Sequence, residues 1–291
     1  MSGAEPIRVA EQFVEGKHRE PARCEDALYV GKQLYAVVDG ATNTSVAYED
    51  GISPGRLAAD ILVKALSEMD TSLSARRAMR WLDGQILRWY REHNMERVVA
   101  DDPFQRISAS MVVYHAVRSE IWLLGDCQAL IDSVLVTNQK AVDLLTEEVR
   151  AFMIESEIAR GATVETLLEN DTGRAAIDDL IRRQRVFQNQ VRGTRYDYFV
   201  LDGFLPESFN MIIYPVPEGA SSIVLASDGY PELYPTLAAT EAALREVLHN
   251  DPLLFRRMKA TKGVYPGSHS FDDRAYLRIQ RSSAGRDALH P

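Results

Sequence analysis

The sequence predicts an α+β fold with largely antiparallel sheets, and two observations carry that prediction. Apolar, β-branched runs of strand length come in groups separated by long stretches of helical periodicity, where a parallel α/β fold would alternate the two strictly. Two such runs, Ile107 to Val117 and Ile121 to Leu124, are separated only by Arg118-Ser119-Glu120, a connection short enough for a hairpin and hence for antiparallel pairing.

The elements follow in chain order. Leu34-Tyr35-Ala36-Val37-Val38 is bounded by Gly31-Lys32 before it and Asp39-Gly40 after it, which marks a short buried strand. Gly55 to Met69 reads as a helix, with Leu57, Ile61, Leu62, Ala65 and Leu66 on one face. Ser74 to His93 reads the same way through Ala78, Trp81, Leu82, Ile86 and Trp89. After the hairpin, a helical insertion covers about 142–190, with Leu145, Val149, Phe152 and Met153 in one apolar stripe and Ile177, Leu180 and Ile181 in another. Strands resume at Met211 to Val216, Ser222 to Ala226 and Ala275 to Ile279, with a helix at Thr240 to His249 before the last. No repeat, low-complexity tract or Pro/Ser-rich linker divides the chain. Residues 1–281 are therefore read as one domain and 282–291 as a flexible tail.

Composition narrows the function classes. The 291 residues carry 42 acidic against 33 basic side chains, a formal charge of −9, which argues against nucleic acid as the partner. Neither a basic n-region followed by an apolar h-region nor an apolar run of spanning length is present, so the expectation is a cytoplasmic protein with no membrane partner. Two cysteines, Cys24 and Cys127, are too few for a disulfide framework and are read mainly as small buried hydrophobes, although each adjoins an acidic residue.

Short acidic motifs at the ends of apolar runs are the chemical signal. One Asp-Gly after a strand is ordinarily a tight turn. Here the grammar repeats: Val37-Val38-Asp39-Gly40, Leu225-Ala226-Ser227-Asp228-Gly229, and the reversed Leu123-Leu124-Gly125-Asp126. Several strands that each deliver a carboxylate to a sheet rim crowd anions that repel one another unless cations bind there. Oxygen donors without His or Cys favour hard ions, Mg2+ or Mn2+ over Zn2+, and the Gly40 carbonyl is a further possible donor.

Taken together with Glu25-Asp26 and Ser270-Phe271-Asp272-Asp273, these motifs resemble, in order and spacing from about residue 8 to residue 280, those of the metal-dependent protein phosphatases of the protein phosphatase 2C type. The resemblance implies an αββα sandwich of two mainly antiparallel sheets flanked by helices. It implies a centre of two divalent ions: Asp39 bridging them, Gly40 offering its carbonyl, Asp228 and Asp272 on one ion, Glu25 or Asp26 on the other, and Asp126 recruiting a third, weaker ion. Two cations about 4 Å apart lower the pKa of a bridging water and neutralise phosphoryl oxygens, so no nucleophilic side chain is needed. The implied activity is hydrolysis of phosphoserine or phosphothreonine in a protein. A small phosphorylated metabolite is the alternative substrate, and a partner-binding module without turnover the alternative function.

The chain departs from the family pattern in two places. Ala41-Thr42-Asn43 follows Asp39-Gly40 where a histidine is common, which leaves the proton donor to His269 or to a bound water. Pro21 stands where an arginine often grips phosphate, and Arg23, ahead of Arg19 and His18, is the replacement expected from its guanidinium fork. The insertion falls where the family carries a flap beside the cleft, and Arg182, Arg183, Arg185, Arg192 and Arg195 make it locally basic.

Overall fold

The computed structural model describes residues 7–41 and 51–281; the expected tail and Thr42 and Asn43 lie outside them. In chain order the described strands and α-helices are β1 (Ile7–Glu15), β2 (Asp26–Val30), β3 (Leu34–Gly40), α1 (Pro54–Glu68), α2 (Ala75–Glu92), α3 (Glu96–Asp101), β4 (Ala109–His115), β5 (Glu120–Leu124), β6 (Gln128–Ile131), β7 (Val134–Thr137), α4 (Ala141–Ala159), α5 (Val164–Glu169), α6 (Thr172–Arg183), β8 (Ile212–Pro215), β9 (Ser222–Ala226), α7 (Leu237–Asn250) and β10 (Arg274–Arg281). They form two five-stranded sheets of order β1-β10-β9-β6-β7 and β2-β3-β4-β5-β8, and all the strand pairs in both are antiparallel.

Strand alternation decides what each layer holds. On β3, Tyr35 and Val37 face the opposite sheet, while Leu34, Ala36 and Val38 pack beneath α1 and α2. On β9 and β10 the inward set is Ile223, Leu225, Ala275, Leu277 and Ile279. Val224, Ala226 and Tyr276 face outward, onto a layer that includes Leu244 and Val247 of α7. Helices thus cover both outer faces and the sheets share one apolar interior, so the class is α+β with the αββα layering the resemblance implied. A separate apolar cluster joins Ala151, Ile154 and Leu167 of the insertion to Leu253 and Phe255. Among the described residues no helix is long and apolar enough to cross a membrane.

The helices expected at 55–69, 74–93 and 240–249 are α1, α2 and α7, and the insertion contains α4, α5 and α6. Four strands were not read from the sequence. β1 interleaves charged residues with apolar ones, β2 begins on Asp26, and β6 and β7 are only four residues each, with β7 exposed at three of them. Short or edge strands bury too little on each face to leave a clear period-2 pattern.

Candidate metal centre

Inward parity runs out of apolar residues at one end of the sandwich, and there it delivers polar ones. Asp39 shares the inward face of β3 with Tyr35 and Val37, and it pairs in register with Asp26 of β2 and Ser110 of β4. Asp126 follows β5, Asp228 follows β9 and Asp273 precedes β10. A side-chain oxygen from each of Asp39, Asp126 and Asp228 lies within 4.8 Å of the others.

The backbone around these carboxylates is tightly fitted. A Cβ at Gly40 would sit 2.2 Å from the Gly55 carbonyl oxygen at the start of α1, so only glycine lets the helix press on the Asp39 turn. Gly229 is the counterpart after Asp228, where a Cβ would sit 1.9 Å from the Asp273 carbonyl oxygen. Gly40 N–H donates to the Glu25 carbonyl at 3.2 Å, Ala275 N–H donates to Ser227 Oγ at 2.9 Å, and the Ser227 hydroxyl donates to Asp26.

The acidic groups divide into two electrostatic classes. Burial, followed by repulsion from Asp228 and Asp26, pushes the Asp39 carboxyl well above the usual carboxylate range. Asp26 is raised in the same way, by burial more than by its acidic neighbours, and its Oδ2 is buried without a hydrogen-bond partner among the described residues. Asp228 opens into the pocket, yet desolvation by the surrounding protein and then Asp126 and Asp272 push it up to about 7. A cation would relieve all three. For Asp126 burial also opposes charge, but the Lys140 ammonium, 2.5 Å from Oδ2, outweighs it, with help from Ser110, whose hydroxyl donates to Oδ1 at 2.5 Å. Asp272 is likewise held below its usual range against burial, here by Lys262 at 2.5 Å and Lys17 at 3.2 Å.

Not all of the expected site residues join this trio. Asp272 is absent from the convergent trio, where Asp126 stands instead; its oxygens are turned to the two lysines. The Arg23 guanidinium is exposed and pairs with Glu20 at 3.6 Å, away from the cavity, because the short 3-10 turn at Pro21–Arg23 carries it outward. His269 is exposed and also lies outside the cavity lining. The Glu25 side chain is buried against Gly55, with only its neighbour Asp26 reaching the cavity. Asp273 is structural: its carboxylate accepts Lys17 N–H at 2.8 Å and Glu25 N–H at 2.9 Å, tying β10 to the start of β2. Both cysteines are buried; Cys24 is pushed up to about 12, mainly by burial, and Cys127 well above its usual range, so both remain neutral thiols.

The acidic centre floors a cavity of about 670 Å³. Its far wall comes from the insertion, through Arg174, Arg182 and Arg185 and the acids Asp143 and Glu147 of α4. Arg183 instead pairs with Asp179 on the exposed face. Glu147 was not singled out in the sequence, where it reads as a solvated helix position. Burial, then Asp143 and Glu148, push it up to about 7. Lys140 and Lys262 were also missed, since only the fold brings them to the acids.

No family model matches the chain, and no curated protein matches it by sequence. Solved structures similar to it include the serine/threonine phosphatase PstP of Mycobacterium tuberculosis, at 15% identity, covering 95% of this chain and 99% of that one, with a TM-score of 0.46. The serine/threonine phosphatase Stp1 of Staphylococcus aureus matches at 11% identity, 94% and 96% coverage and TM-score 0.49. The catalytic domain of PstP solved with two manganese ions matches at 14% identity, 94% and 97% coverage and TM-score 0.45.

Proposed function

We propose that the chain is a metal-dependent phosphomonoester hydrolase, and that phosphoserine or phosphothreonine of a protein is its substrate. The observation that carries this reading is the convergence of Asp39, Asp126 and Asp228 within 4.8 Å at the floor of a cavity. The orphaned buried Oδ2 of Asp26 fits a cation there, and an all-oxygen donor set suits Mg2+ or Mn2+. Asp39 and Asp228, with Asp126 beside them, would hold the ions, two being the load the motifs imply, and Asp26 would stand behind them. Bound there, such cations neutralise the charge of phosphoryl oxygens and acidify a neighbouring water.

The chain's own residues set the rest. Ser110 fixes the orientation of Asp126, and Ser227 that of Asp26. The Gly40–Gly55 contact holds the Asp39 carboxylate at the rim. Glu147, which lines the same cavity, is a candidate to protonate the leaving alkoxide, the role the sequence left to a bound water or to His269. The cavity between sheet rim and insertion is roomy enough for an extended phosphopeptide as well as a small ester.

Purified protein with Mn2+ should hydrolyse p-nitrophenyl phosphate, and Asp39→Asn or Asp228→Asn should cut the rate by about 100-fold or more. A phosphopeptide panel beside a metabolite panel assigns the substrate class. A second reading, a partner-binding module without turnover, is favoured by the lysines already paired with Asp126 and Asp272. Absence of both turnover and calorimetric Mn2+ binding would end the first reading and leave the second to be tested by partner binding.

A further inference from the structure

We propose that Asp272 serves as the counter-ion of Lys17 and Lys262 in place of a cation ligand, and that Lys262, so placed, grips the phosphoryl group of the substrate; the second half rests on the hydrolase reading above. Two displaced features are explained together. The carboxylate expected among the ligands is outside the convergent trio, and the arginine expected to hold phosphate is outside the cavity.

The geometry around Asp272 is that of a braced anion. Its Oδ1 accepts from the Lys17 ammonium at 3.2 Å and from Asp273 N–H at 3.0 Å, which leaves Oδ2 turned to the Lys262 ammonium at 2.5 Å. One carboxylate does not cancel two ammonium groups. Lys17 has a second acid beside it, Asp273 Oδ2 at 3.7 Å, whereas among the described residues no second carboxylate comes within ion-pair distance of Lys262. The excess positive charge therefore sits on Lys262, which lines the same cavity as Asp39 and Asp228. The other lysines of that wall are engaged differently: Lys259 pairs with Glu148, and Lys140 with both Asp126 and Asp143.

Lys262 is also carried by a fixed segment. Fully buried Arg150 of α4 donates to the Ala260 carbonyl at 2.9 Å, Arg174 of α6 donates to the Thr261 carbonyl at 3.0 Å, and Val264 N–H donates to the Pro252 carbonyl at 2.9 Å. A compact ammonium on a clamped backbone, aimed by a carboxylate, suits a phosphate dianion, whose oxygens take charge-assisted hydrogen bonds from Lys as from Arg. The insertion thereby helps to set the phosphate site through the two arginines that hold Ala260 and Thr261.

Calorimetry on the full chain tests this, with inorganic phosphate and Mn2+ as separate probes. Lys262→Met should weaken phosphate binding about tenfold or more while leaving Mn2+ affinity within about twofold, and Lys262→Arg should recover most of the loss. Asp272→Asn should likewise leave Mn2+ affinity within about twofold. A tenfold loss of Mn2+ affinity in Asp272→Asn would make Asp272 a ligand and overturn the proposal, as would wild-type phosphate affinity in Lys262→Met. If the wild type binds no Mn2+, the hydrolase reading fails, and the phosphate comparison alone then decides the role of Lys262. Lys262→Met lies on a partly exposed loop and keeps the test available should Asp272→Asn not fold.

Discussion

At the Asp83–Asp202 cluster, deep between α2 and the loop before β8, the protein supplies the donors itself; at the sheet rim it supplies them only in part. Asp83 accepts backbone N–H groups of Asp202, Gly203 and Leu205 at 2.8–3.0 Å. Asp202 accepts from Arg106, Gln188, Asn189 and its own neighbour Phe204. Around Asp39, by contrast, the adjacent carboxylates repel, Asp228 N–H donates only at 3.4 Å, and Asp26 Oδ2 has no hydrogen-bond partner among the described residues. Both regions bury acids at a cost, but only the first is complete without a ligand. A satisfied acidic network fastens a loop; the partly unsatisfied one at the rim is where the proposed cations would sit.

The largest expected effect separates the two. Asp202→Ala strands Arg106 and two amide side chains, and should destabilise the protein by about 3–5 kcal/mol in urea unfolding, with or without Mn2+. Asp39→Asn removes a repelling charge, so without metal its midpoint should equal or exceed that of the wild type, while Mn2+ should no longer protect it. A metal-free Asp39→Asn protein that melts well below wild type would mean that the rim is structural too.

A smaller effect appears in pH. The folded-state value of Asp228 is raised to about 7 from an unfolded value of about 3.9, so the native state binds the extra proton. Stability from this group is complete at low pH and is lost as pH rises from about 4 to about 7. Asp83, also pushed up to about 7 by burial and then Asp202, has the same sign. Metal-free protein should therefore lose stability across that window, Asp228→Asn should remove part of the slope, and the Asp83 part should remain under saturating Mn2+. Urea midpoints at several pH values, with chelator and with Mn2+, measure both parts.

This contrast also marks how far the sequence was legible. Asp39, Asp126 and Asp228 stood out because a buried strand that stops on or just before a carboxylate is a local signal; strand parity aims Asp39 inward, and the turns after β5 and β9 bring Asp126 and Asp228 beside it. The roles of Asp272 and Lys262 were not local: Lys17 and Asp272 meet across 255 positions of chain, and nothing near either predicts the other. Asp83 was hidden for a different reason. On an amphipathic helix rich in polar residues, one buried Asp has no distinguishing neighbour, and its partners lie some 120 positions away. The α+β class followed from hydrophobic period and the αββα layering from the motif resemblance, whereas edge strands such as β7 lacked the burial that writes a period.

The smallest expected effect belongs to Arg23, which stands outside both regions and so serves as a control for them. Its pair with Glu20 is between exposed side chains three residues apart, a type that contributes about 0–1 kcal/mol and weakens further in salt. Arg23→Ala should move the urea midpoint by no more than that, and should leave KM for p-nitrophenyl phosphate within about twofold. The same assay on Lys262→Met should raise KM, since the phosphate grip lies on the cavity wall where Asp272 aims it. A KM raised by Arg23→Ala and untouched by Lys262→Met would reverse the assignment, and would require the turn at Pro21–Arg23 to swing inward when substrate binds.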